Sequence, residues 1–234
     1  MPKLKIKFES RVFKGDDEDF HGWRIWEQPK ELHTYAIGVD TAEGKGKDAS
    51  CSQVVDCDTG VVVANFWSNQ IDEDNYAAEV YKAGYYYNKA RVIIESNNTG
   101  SAVITNLAGT YSTSLRYPYL YKRFEYNEYT KKKTKIIGYR TGNNKGQLIS
   151  NLKAALRDGE LKVKDQRTIK ELSTFVRDEK TGKIGAKGVA NDDTVMALAL
   201  AWEQVLVLRS VTRYDKQSQT NMEREYDSTT GFPI

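Results

Sequence analysis

From Tyr35 onward, apolar and polar positions fall into short runs that predict strands before they predict anything else. "YAIGVD" is an apolar run ending on an acid, "SCSQVVDC" is a second run and "GVVVANFWS" a third. Asp58, Thr59 and Gly60 separate the last two, and a glycine there can supply the positive φ that a tight turn needs. Three such strands in succession predict an antiparallel meander. In "DEDNYAAEVYKAGYYYN" the rhythm changes: Tyr76, Val80, Ala83 and Tyr87 recur at helical spacing, and Asp72 to Asp74 stand where carboxylates favour a helix dipole. "ARVIIES" is again a strand, continuous and β-branched through Val92, Ile93 and Ile94, as in strands buried on both faces. A helix between two strands makes the return strand parallel.

The second half is less regular. A helix is predicted over "TGSAVITNLAG", a strand within "PYLYKRFEY", and a helix over "NNKGQLISNLKAALRDG" that stops at Asp158-Gly159. A short strand "ELKV" and a helical stretch "QRTIKELSTFV" follow, then a hairpin in "VRDEKTGKIGAKG" built on Lys180 to Gly182. "NDDTVMALALAWEQVLVLR" is a helix apolar on nearly every side, which predicts burial. The pattern therefore divides into a lead-in arm over residues 1–30, an α/β domain over 31–208 and a polar tail over 209–234. Trp23, Ile25 and Trp26 of the arm are expected to pack on the domain, and the tail, without sustained periodicity, is expected to be mobile or partner-dependent.

Composition narrows the picture only a little. The formal charge of the 234 residues is +3 although 29% are charged, so any polyanion-binding surface must come from local clustering. No apolar run approaches the ~20 residues of a membrane span and the N-terminus lacks a secretory signal, so the chain reads as soluble and intracellular. Cys51 and Cys57 lie in one predicted strand, roughly 20 Å apart at ~3.3 Å per residue, beyond disulfide reach. They are expected to be free thiols, and with His21 and His33 they offer no zinc-type ligand spacing.

The stretch "YAIGVDTAEGKGKDAS" admits two chemical readings. As a nucleotide-binding P-loop it fails, because five residues rather than four separate Gly38 from Gly44, and Gly46 rather than Ser or Thr follows Lys45. As a strand ending in a carboxylate it gains company. Asp40 ends the first strand, Glu95 ends the strand after the crossover, and Asp192-Asp193 open the buried helix. Neighbouring strand ends lie ~4.8 Å apart, so carboxylates there can share a divalent cation. Asp193 falls on the helix face of Ala197, Leu200 and Gln204, whereas Asp192 lies over Met196 and Ala199. One is expected to be a ligand and the other a cap or second ligand.

These segments together carry a resemblance. "IGVDTAEGKGKDAS", "VIIESNNTG", "GYRTGNNKGQLI" and "NDDTVMALALA", in this order, resemble the nuclease domain of viral large terminase subunits, over about Trp23 to Leu208. The resemblance implies an RNase H-like mixed sheet, in which the meander is followed by parallel strands, flanked by helices and with an extra hairpin before the last buried helix. It also implies a metal-dependent endonuclease that cuts double-stranded DNA concatemers with two Mg²⁺ or Mn²⁺ ions. Carried over by position, Asp40, Glu95 and Asp193 are the catalytic acids and Asp192 a neighbour that can join the metal shell. Asp40 is expected to bridge both ions, with Glu95 and Asp193 each serving one. The family's ATPase domain has no counterpart motif in this chain, so the chain looks like the nuclease part alone. By the same resemblance the partners are DNA, the ATPase domain, the portal and the small terminase subunit, with no membrane. The place of action would be the host cytoplasm beside the procapsid.

Candidate DNA contacts are Lys45 and Lys47 in the first loop, Arg140 and Lys145 before the third helix, and Lys183 and Lys187 in the late hairpin. Asn97 opens a polar turn that either holds a phosphate or caps a helix. The run Lys131 to Lys135 reads as a solvated loop. Competing readings are a junction resolvase or transposase core of the same fold, an actin-like sugar kinase or heat-shock ATPase, and a non-catalytic DNA clamp or capsid-docking module.

Overall fold

Most of the β-branched runs in the first half of the chain pair into one sheet. The computed structural model describes residues 20–42, 48–109, 115–177, 184–186 and 192–224. Strands β1 (Gly22–Ile25), β2 (Tyr35–Asp40), β3 (Ser50–Asp56), β4 (Val61–Ser68) and β5 (Arg91–Ile94) form a five-stranded sheet in the order β1-β4-β3-β2-β5. The meander β2-β3-β4 is antiparallel and β5 lies parallel to β2, as the crossover through helix α1 (Glu73–Tyr86) requires. Gly60, at φ +70°, closes the β3–β4 turn with its N–H on Asp56 O at 2.8 Å.

Among the described residues there follow α2 (Asn98–Ala108), β6 (Lys122–Asn127), β7 (Lys132–Ile137), a 3-10 turn at Gly142–Asn144, α3 (Lys145–Arg157), α4 (Gln166–Thr174), β8 (Phe175–Arg177), β9 (Ile184–Ala186) and α5 (Asp193–Arg224). Alternation along the strands sorts side chains into two cores. Tyr35, Ile37, Val39, Val92 and Ile94 pack against α1 and α2. Ala36 and Ile93 face the opposite way, into a core made with α3 and α5. Arg24 of β1 reaches Asp165, the cap of α4, at 3.2 Å, and Gln53 of β3 donates to Thr168 at 2.9 Å, which ties α4 to the sheet.

Several expectations change. The end of the arm does more than pack: Gly22–Ile25 pairs with β4 as the edge strand. β2 and β3 are separated by residues 41–49, more than a tight turn holds. "ELKV" contributes one bridge, Val61 with Lys162, and no strand. The lysine run is no loop; it is most of β7, paired with β6 in a hairpin apart from the main sheet. The late hairpin is present as β8 with β9, and its expected turn at Lys180 to Gly182 lies outside the described residues. The tail is helical to Arg224, because adding residues to a stable helix needs no new nucleus and no apolar stripe. One helical segment, Asp193–Val211, is long and apolar enough to cross a membrane, which the sequence reading missed. Its apolarity is accounted for by burial: Val195 to Trp202 and Val205 are all enclosed.

Candidate metal centre

The packing of α5 on β2 builds the site. Gly38 is in the strand because no larger residue fits; a Cβ there would stand 2.0 Å from Ala197 O and 2.3 Å from Ala201 N. With Ala197 fixed over Gly38, one helical turn back is Asp193 and two strand residues forward is Asp40. Those steps are ~6 Å along the helix and ~6.6 Å along the strand, so the two aspartates arrive side by side. Glu95 follows from the register. Val39 pairs with Ile94, and Glu95 N–H donates to Val39 O at 3.3 Å, so Asp40 and Glu95 end adjacent parallel strands. Both belong to the sheet face that carries Ala36 and Ile93, beneath α5.

The charges of these groups act on one another. Burial, then the carboxylates of Glu95 and Asp193, push the Asp40 carboxyl well above its ordinary range; Asp192 adds to this, and the Thr41 N–H at 3.0 Å opposes it. Burial raises Asp193 to about 6, against the pull of the Ala49 N–H, which donates to Oδ2 at 2.9 Å. Asp48 and Asp192 add to the rise. Asp192 caps the helix through its carbonyl, which accepts from Met196 N at 2.9 Å, while its carboxylate meets Lys145 Nζ at 3.4 Å. Asp192 thus caps the helix, and Asp193 faces the cluster.

The other candidates divide. Lys145 is engaged with Asp192. Arg140 is 77% exposed and 4.0 Å from Glu125. Asn97 caps α2, its Oδ1 accepting from Gly100 N at 2.7 Å and Thr41 Oγ1 at 3.2 Å, so the helix-cap alternative describes what its carbonyl does. Lys45, Lys47, Lys183 and Lys187 lie outside the described residues. Cys51 and Cys57 are free, as expected, and both are buried.

Two features were not legible beforehand. Glu171 of α4 accepts from Thr194 N at 2.9 Å and Thr194 Oγ1 at 2.5 Å, clamping the first turn of α5 next to Asp193. Burial lifts its carboxyl to about 7, the Thr194 bonds opposing and Asp193 adding to the rise. Its partner is 23 residues away, and no local pattern marks it. The second is at the other end of the sheet, where the donor atoms of His33, Asp56 and Asp58 lie within 4.8 Å of one another. The search for zinc spacing among cysteines and histidines could not see it, because two of the three residues are aspartates.

Comparison with known proteins identifies the family. Residues 37–204 match the family model described as the terminase RNaseH-like domain. The large terminase subunit of Thermus virus P23-45 is 28% identical over 176 residues, covering 74% of this chain and 32% of that protein. This chain therefore spans about a third of the length of the curated relatives it matches. Among solved structures, the large terminase nuclease from thermophilic phage G20c with bound magnesium is 27% identical, with a TM-score of 0.62 over 80% of this chain and 89% of that one. The same nuclease with bound cobalt gives 26% identity and a TM-score of 0.61 over 80% and 89%. The fold is RNase H-like, and the strand-end acids stand within the matched span. This chain belongs to the terminase RNaseH-like domain family.

Proposed function

We propose that this chain is the nuclease part of a large terminase, a metal-dependent endonuclease that cuts double-stranded DNA concatemers during viral genome packaging by two-metal phosphodiester hydrolysis. The observation that carries the reading is Asp40, half-buried at a strand end under α5, where Glu95 follows the end of the neighbouring parallel strand, Asp193 opens the helix, and one backbone N–H, that of Thr41 at 3.0 Å, meets the carboxylate. Such a cluster is destabilised by its own charge until a cation joins it. The donors are all carboxylate oxygens, the set that hard cations such as Mg²⁺ and Mn²⁺ prefer. The relatives' structures with bound magnesium and cobalt support the same choice.

Asp40, Glu95 and Asp193 would hold the ions, Asp40 serving both, and Asp192 could join on release from Lys145. When bound, two such ions supply a hydroxide near neutral pH and stabilise the leaving 3′ oxygen. The chain's own part is positioning. The Ala49 N–H fixes one oxygen of Asp193 and leaves the other to face the cluster. Glu171 anchors the helix turn from which Asp193 projects. Lys145 holds a positive charge at the rim, where a DNA phosphate would replace Asp192 as its partner. DNA, the ATPase domain of the same terminase, the portal and the small subunit are the proposed partners, beside the procapsid in the host cytoplasm.

The test is plasmid cleavage in Mn²⁺ and Mg²⁺. Wild-type protein should nick and linearise supercoiled DNA, and Asp40→Asn should not. Cleavage by Asp40→Asn near the unmutated rate would sink the reading.

A further inference from the structure

The hairpin β6–β7 leaves the sheet edge between Tyr121 and Gly138, whose N–H donates to Tyr121 O at 3.1 Å. Its root is fixed to the candidate metal centre. Tyr139 pairs with both neighbours of Glu95: Tyr139 N–H donates to Ile94 O at 2.7 Å, and Ser96 N–H donates to Tyr139 O at 2.7 Å. Arg123 braces the same root through Gly138 O at 2.5 Å and Ser96 Oγ at 3.4 Å. The direction in which the ribbon projects is therefore tied to Glu95.

The register sorts its side chains. One face carries Arg123, Glu125, Asn127, Lys132, Thr134 and Ile136, with Arg123 and Glu125 in an ion pair at 2.9 Å. The other carries Lys122, Phe124, Tyr126, Lys133, Lys135 and Ile137, and no acid. Phe124 and Tyr126 on that face are 66% and 55% exposed, and Lys135 Nζ stands 5.6 Å from the centre of the Phe124 ring. Three cations and two exposed aromatic rings thus share one surface in a chain whose whole formal charge is +3. This is the local clustering that polyanion binding requires, and the solvated-loop reading of the lysine run does not account for the aromatic partners.

We propose that the Lys122, Phe124, Tyr126, Lys133 and Lys135 face of this ribbon is a docking surface for duplex DNA flanking the cut site. The proposal rests on the nuclease reading and extends it to the path of the DNA. A two-stranded ribbon is of a width that a major groove admits. Six residues reach ~20 Å, which corresponds to about six base pairs at ~3.4 Å each. The lysines meet phosphates and the rings cover the sugar edges.

The test is binding of a fluorescent duplex of about 30 base pairs to the 234-residue chain in EDTA, followed by anisotropy from ~50 to ~300 mM KCl. The triple variant Lys122→Gln, Lys133→Gln, Lys135→Gln should weaken binding at least ~10-fold and flatten the slope of log K against log salt by about 2 to 3, at ~0.9 per phosphate contact. Its melting temperature should be unchanged, since all three side chains are exposed. A control with the same charge change on other exposed lysines, Lys89→Gln, Lys153→Gln, Lys162→Gln, should keep the wild-type slope. The ribbon proposal is overturned if its variant keeps the wild-type slope, or if the control flattens it equally. Wild-type protein that binds no duplex would overturn ribbon and nuclease together. Equal binding and cutting by wild type and ribbon variant, with Asp40→Asn inactive, would overturn the ribbon alone.

Discussion

An aspartate sits among polar groups at each end of β2, Asp56 fully buried and Asp40 half-buried, and the two ends treat it in opposite ways. At the Tyr35 end, Asp56 is fully buried and fully partnered: Oδ1 accepts from Asp58 N at 3.0 Å and Thr59 N at 3.4 Å, and Oδ2 meets His33 Nδ1 at 2.8 Å. Asp58 in turn accepts from Thr34 N at 2.9 Å. At the other end Asp40 has one amide partner and faces Glu95, Asp193 and Asp192. Hydrogen bonds offset the dehydration of the first carboxylate, so it belongs to the fold. Like charge worsens the dehydration of the second, which is why we propose that it takes a cation. Proximity of donor atoms alone points to the His33 cluster; the scarcity of hydrogen-bond donors around Asp40 is why we propose the metal there.

Substitution at each end should separate the two roles most widely. Asp40→Asn should lower cleavage at least ~10³-fold, a barrier increase of about 4 kcal/mol, while the metal-free fold stays as stable or gains about 1 kcal/mol from lost repulsion. Asp56→Ala should do the reverse. It leaves two amides and a histidine without their acceptor, which should cost about 3 kcal/mol in denaturant unfolding, and the molecules that remain folded should cut at the unmutated rate. A stability loss in Asp40→Asn as large as that in Asp56→Ala would abolish the distinction.

The pH dependence comes next in size. Asp193 and Glu171 have folded values of about 6 and 7, above the ordinary 3.8 and 4.5, and Asp40 is also raised. In the interval between ordinary and folded values the folded state binds more protons than the unfolded, so stability falls as pH rises through it. In EDTA, stability should therefore decline from about pH 4 to 7, by on the order of 2 kcal/mol for Asp193. The decline should be smaller in Asp193→Asn, compared by thermal melting across the same range. An identical slope in both proteins would mean that Asp193 is not under the strain described.

How much of this could be read from residues alone varies with burial. β2, β3, β4, α1 and β5 follow from periodicity because each has one side or both sides against a core. β7 was invisible as a strand because its first four residues, Lys132 to Lys135, are exposed, which leaves no apolar alternation to read. The helix beyond Arg209 was missed for a related reason: it continues α5 on polar residues. In the site, Asp40 and Glu95 were legible as strand ends and Asp193 through its helix face. The pairing of Lys145 with Asp192 and the clamp of Glu171 on Thr194 depend on how α3 and α4 meet α5, which no local pattern encodes.

The smallest effect tests the comparison from the ligand's side. A ligand that binds only the folded state stabilises it by RT ln(1 + [L]/Kd), about 1.4 kcal/mol at ten times Kd. Mg²⁺ or Mn²⁺ should raise the melting temperature of wild-type protein by that order and lower the pH slope, since a cation among the carboxylates removes the repulsion that raises their proton affinity. The increment should vanish in Asp40→Asn. It should persist in His33→Ala, whose starting stability is lower but whose strand-end acids are intact. The reverse pattern, loss in His33→Ala and persistence in Asp40→Asn, would place the ion at the hydrogen-bonded end of β2. Donor crowding and not donor starvation would then be the better guide to where this fold takes a metal.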